Sequence, residues 1–124
     1  MKNLLIETLK PLGFPIFQQG SLGDDEQYPS SFFTFWNNET YGDAFYDNEE
    51  HNDVWDFDLN FYSSDPELVN TKLNEAIRIL KQHDFIVSGE GHDVASDEQT
   101  HTGRGINIKK IKKKGELENE FWRI

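Results

Sequence analysis

Few residues in this sequence have types and spacings that could do chemistry. Histidines stand at 51, 83, 92 and 101, with many carboxylates between them. Asp56 and Asp58 are two residues apart, so on a strand they share one face, and His92-Asp93 falls on a second strand-like stretch. Two carboxylates and an imidazole could hold a divalent ion. No HExxH-type spacing accompanies them, and aspartates alternating with aromatics are equally the pattern of a strand wetted on one face. No metal ligand is assigned. Serines occur at 21, 30, 31, 63, 64, 88 and 96, none of them in a GxSxG elbow. Ser63 and Ser64 precede a helical pattern and read as caps. Gly89-Glu90-Gly91 lacks the third glycine and the lysine of a phosphate loop. With no cysteine in the chain, disulfides, thiolate metal sites and a thiol nucleophile are excluded. The expectation is a protein without catalytic residues or cofactor.

Charge is more informative. The net charge is −11, which argues against nucleic-acid binding, because neutralising phosphates needs clustered Lys and Arg. The charge is also uneven. Residues 37–53 hold no Lys or Arg but carry Glu39, Asp43, Asp47, Glu49, Glu50 and Asp53, whereas Lys109, Lys110 and Lys112 cluster near the other end. Arg104, between Gly103 and Gly105, is the only Lys or Arg between Lys81 and Lys109. A guanidinium flanked by glycines can be presented to a partner's carboxylate. Pairing with Asp97 or Glu98 of its own loop is the plainer alternative. Glu39, Asp43, Asp47, Glu49, Glu50, Arg104, Lys109, Lys110 and Lys112 are therefore the candidate subunit-interface residues. Acidic and basic patches on one chain can attract copies of that chain. On this account, reversing Lys109, Lys110 and Lys112 to Glu abolishes assembly and leaves the fold intact.

The elements that position these residues follow from periodicity. Leu4, Leu5, Leu9 and Leu12 are at helical spacing, closed by Pro11 and Gly13. A strand over 14–19 carries Pro15 near its start, which suits an edge or an irregular beginning. Residues 20–30 read as a loop. Ser31 to Trp36 reads as a central strand, and 37–53 as a long acidic loop. From Val54 to Tyr62, Trp55, Phe57, Leu59 and Phe61 alternate with Asp56, Asp58 and Asn60. That period of two means one buried and one wet face. Ser64 and Glu67 fit a capping box, with Pro66 in the first turn, for a helix reaching about His83. Strands over 85–94, bent at Gly89 and Gly91, and over 105–111 complete the order. The expected fold is α+β: a two-layer, mainly antiparallel sheet with two helices on one face, in the order α-β-β-β-α-β-β. A single domain is expected over 1–112, with a C-terminal tail over 113–124. Leu117, Phe121, Trp122 and Ile124 make that tail a further docking candidate, on its own domain or on a neighbour. No apolar run approaches the roughly 20 residues of a membrane span.

Three stretches together resemble a known family. They are Tyr28-Pro29-Ser30-Ser31-Phe32-Phe33-Thr34-Phe35-Trp36-Asn37, then Trp55 to Tyr62 running into Ser64-Asp65-Pro66-Glu67-Leu68, and lastly Asp97-Glu98 through Thr100-His101-Thr102-Gly103-Arg104-Gly105. They are similar to the tail completion, or tail terminator, proteins of siphophages and prophages, over about residues 14–111. The resemblance implies a structural virion protein that caps the tail tube as a hexameric ring and joins it to the head connector. Its partners would be copies of itself, the tail tube protein and the head connector protein. No cofactor, nucleic acid or membrane is implied. The protein would reside in the host cytoplasm during assembly and then in the virion tail. The alternative is a small acidic DNA mimic, in which the carboxylates of 39–58 stand in for phosphates and block a DNA-binding host protein. The lysines of 109–114 spoil the uniform negative face that such a mimic needs.

Overall fold

The structure is a computed structural model and describes residues 1–19, 28–42 and 52–113. Its elements are α1 (Lys2–Leu9), a 3-10 turn (Lys10–Leu12), β1 (Ile16–Gln18), β2 (Ser31–Gly42), β3 (Asn52–Ser63), α2 (Pro66–Gln82), β4 (Ile86–Val94) and β5 (Thr102–Lys113). The fold is α+β, and its five strands lie in the order β1-β2-β3-β5-β4. All neighbours are antiparallel except β1 with β2.

The alternation in β3 organises the interior. Phe57, Leu59 and Phe61 are fully buried. They pair across the sheet with Phe35 and Phe33 of β2 and with Ile106 and Ile108 of β5. Leu5 and Leu9 of α1, Leu73, Ala76 and Leu80 of α2, and Phe85 join the same core. Both helices therefore pack on one face of the sheet, here termed the inner face. Each fully buried Phe or Leu contributes about 1.5–3 kcal/mol, so this aromatic set stabilises a small body effectively.

Several element boundaries differ from expectation. The stretch 37–53 is not a seventeen-residue loop: β2 continues to Gly42 and β3 begins at Asn52. A register shift between Asn37 and Glu39 carries β2 onward, a bulge in an otherwise continuous ladder. Polar Asn, Glu and Thr residues are poor strand formers read alone, and the pairing with β3 overrides them. β5 likewise starts at Thr102 rather than Gly105 and reaches Lys113. The N-cap of α2 is Asp65, not Ser64: its carboxylate accepts from Glu67 N–H at 3.1 Å, with Pro66 in the first turn. Ser63 instead bonds Ser31 Oγ at 2.9 Å, and its Oγ accepts from Asp65 N–H. The glycine-marked bend appears where expected, as a register shift between Ser88 and His92, with positive φ at Gly89 and Gly91.

Among the described residues no helix is long and apolar enough to cross a membrane.

Candidate assembly surface

The face of the sheet opposite the helices, the outer face, is finished in two ways. At one end, Phe32 is buried beneath a local cover. Phe17, Tyr28, Tyr62 and His101 all lie within 5.3–6.0 Å of its ring centre. His101 Nε2 donates to the Pro29 carbonyl at 2.8 Å, and the Thr100 hydroxyl lies 2.9 Å from Nδ1. That bond ties the β4–β5 connection to the segment leading into β2. Tyr28 Oη donates to Asp97 at 3.5 Å. Between these groups and Thr34 lies a cup of about 320 Å³. The Tyr62 phenol stands on its wall. Burial raises its pKa above the usual value, opposed by the hydrogen bond that Asn60 Nδ2 donates to its oxygen at 3.4 Å.

Towards the other end, β2, β3 and β5 run on beyond their flanking strands as a three-stranded extension. Its outer face exposes Trp36 (49%), Tyr41 (38%) and Ile111 (43%), with Ile86 of β4 (49%) beside Lys109. Val54 is buried between its cross-strand partners Tyr41 and Ile111. This placement follows from strand parity: Trp36 lies opposite Asp58, one residue from the buried Phe35, and so faces away from the helices. Scattered exposed apolar residues are ordinary, but four large ones on one uncovered face form a candidate contact surface.

The charged candidates distribute over this frame. Glu39 lies opposite Asp56 on the outer face, and Lys109 flanks Asp56 from β5. Lys112 lies opposite Asp53. The acidic and basic segments are thus neighbouring strands of one chain as well as potential partners between chains. Lys110 faces the helices. Its Nζ donates to the His83 carbonyl at the end of α2 at 2.8 Å and lies 5.3 Å from the Phe85 ring centre. Reversing Lys110 would therefore disturb the body as well as any interface. Lys112, on the same side, helps to push the Met1 amino group down to about 6, after burial as the main cause and ahead of Lys2. Arg104 is on the inner side, where it donates to Asp93 Oδ1 at 3.0 Å and to the Gly91 carbonyl at 3.1 Å. Its pairing is local, as the plainer reading held, but with Asp93 rather than with Asp97 or Glu98. Asp43, Asp47, Glu49 and Glu50 lie outside the described residues, as does the tail beyond Lys113.

Asp56 and Asp58 do share a face, and Asn107 holds them. Its Nδ2 donates to Asp56 Oδ1 at 2.6 Å and to Asp58 Oδ1 at 3.2 Å. Asn38 adds a bond to Asp56 at 3.3 Å. Asn107, which sequence reasoning passed over, thus links the two carboxylates across β3 and β5; its alternation between Ile106 and Ile108 was the available signal. Among the described residues no group of three His, Cys, Asp or Glu side chains is placed to hold a metal ion.

No protein-family model matches the chain, and no curated protein matches it.

Proposed function

We propose that this chain is a structural virion protein of the tail-terminator kind, whose copies join side by side into a ring that caps a phage tail tube and meets the head connector. The observation that carries the reading is the uncovered outer face of the extension, where Trp36, Tyr41, Ile86 and Ile111 stand exposed around Glu39 and Lys109. Large aromatic residues are the usual anchors of protein contacts, and charges around them set partner and register. The resemblance of residues 28–37, 55–68 and 97–105 to tail completion proteins supplies the kind of assembly. The α+β body fits it, with the order helix, three strands, helix, two strands.

The reading is tested by electron microscopy and sedimentation of the purified protein, alone and mixed with tail tubes. A ring seated on the tube end is the expected result. Bare tube ends and a monomer at every concentration would overturn the reading. A Trp36→Ser, Tyr41→Ser double variant should keep its fold by circular dichroism and lose capping.

A further inference from the structure

Two strand edges of the extension are open among the described residues. On one side, β1 pairs with β2 only from Phe33 to Phe35, and Gln19 N–H closes that ladder on the Phe35 carbonyl at 2.8 Å. From Trp36 to Gly42 no described strand lies along that edge. On the other side, β4 begins at Ile86, opposite Lys109. It starts no earlier because Phe85 N–H turns back to the Leu80 carbonyl of α2 at 2.9 Å. From Lys110 to Lys113 no described strand lies along that edge of β5. Resting on the ring-forming reading above, we infer that these edges are the two halves of one joint between copies, in which Thr40–Gly42 of one copy accepts Lys110–Lys112 of the next as an added strand.

An unpaired edge offers a row of backbone donors and acceptors to another chain, and strand addition uses them directly. β2 and β5 are both antiparallel to β3, so they run parallel to each other. Copies set side by side therefore meet in a parallel pair. β1 already makes such a pair along the same edge of β2, ending before the bulge at Asn37/Glu39. A bulge re-aims the strand beyond it, which separates the stretch taken by β1 from the stretch left for a partner. The two edges are different surfaces, as a heterologous contact requires, and such contacts close into rings when the rotation allows.

Charge selects this pairing over its competitors. The β5 end carries Lys109 on the outer face and Lys110 and Lys112 on the inner, whereas the β2 edge carries Glu39 on the outer face and no Lys or Arg. Lysine on an edge commonly guards against unwanted pairing. Here it opposes the meeting of two β5 edges and favours the acidic one, so repulsion and attraction together specify the unlike pair. Strand parity places Ile111 of one copy beside Tyr41 of the next on the outer face, and both are exposed in the single chain.

The chain has no cysteine, so the joint can be read by cross-linking. Tyr41 and Ile111 of one chain stand on either side of Val54. They are about two strand spacings, or roughly 10 Å, apart, beyond the reach of a disulfide. A Tyr41→Cys, Ile111→Cys bond therefore reports contact between copies. With tail tubes present and mild oxidation, an equimolar mixture of the two single variants should give a disulfide dimer joining position 41 of one copy to position 111 of another. Each variant alone should give none. The double variant should give a ladder ending in a closed species.

If wild-type protein caps tubes and the double variant does too, yet no 41-to-111 bond forms, the joint is wrong and ring formation stands. If wild-type protein never assembles, the ring-forming reading falls and the joint with it. A second arm tests the charges. Glu39→Lys should raise the concentration needed for assembly roughly tenfold at low salt, and mixing with Lys109→Glu, whose position shares the outer face with Glu39, should recover most of it. Unchanged assembly in Glu39→Lys, with its urea midpoint intact, would overturn the charge-selection account.

Discussion

Phe32 and Trp36 stand on one strand and one face, four residues apart, yet Phe32 is buried and Trp36 is about half exposed. The difference lies in what the rest of the chain brings to each. Over Phe32 come Tyr28, Phe17, Tyr62 and His101, tied down by the bond from His101 to the Pro29 carbonyl. Over Trp36 no described aromatic ring is stacked. A large aromatic side chain thus serves as satellite core at one end of the outer face and as exposed surface at the other. Hydrophobicity alone does not separate core from interface; the covering segment does.

The sharpest break in this comparison is a pair of alanine substitutions. Phe32→Ala should cost about 3–5 kcal/mol, the range for emptying a buried aromatic site, read as a fall in the urea midpoint. Trp36→Ala should stay within about 0.5 kcal/mol of wild type, as surface changes do, and should act on assembly instead. Equal stability losses would remove the distinction between the two halves. Next in size is Gly103→Ala. A Cβ there would come within 2.6 Å of the Tyr62 ring and 2.8 Å of Val94, so overpacking of the covered end should cost about 1–3 kcal/mol. Asn107→Ala should cost about 1–2 kcal/mol, because Asp56 and Asp58 lose the amide that links them; this too is read from the urea midpoint. The smallest effect is in pH dependence. Burial raises the Tyr62 pKa in the fold, so the unfolded chain gives up that proton first. The resulting stability is present below about pH 10 and is lost as pH rises through the folded-state pKa. Tyr62→Phe should flatten the alkaline limb of the stability curve, and tyrosinate absorbance of the folded protein should lose a component that titrates above the usual tyrosine range.

Much of the body was legible in the residues. The alternation from Trp55 to Phe61, the helical stripe from Val69 to Leu80 and the glycine pair at 89 and 91 each carry a local physical signal, and each lies where that signal put it. The extension was not legible. Asn37, Asn38, Glu39 and Thr40 have no strand periodicity of their own, and they form strand because β3 supplies a partner for their backbone. Of the candidate interface residues, Glu39 and Lys109 share one face, on either side of Asp56. Lys110, Lys112 and Arg104 were grouped with them by charge, but the pleat of β5 sends these three to the helix side.

The amino-acid order by itself determined the elements with strong local periodicity, the side of each that is buried, and a strongly negative net charge without thiol chemistry. Those properties depend on residues a few positions apart. Which strands became neighbours, where two edges were left without a described partner, and which aromatics received a cover were decided only in three dimensions. Each depends on backbone and side-chain groups far apart in the chain satisfying one another, and no local window of sequence contains both members of such a pair.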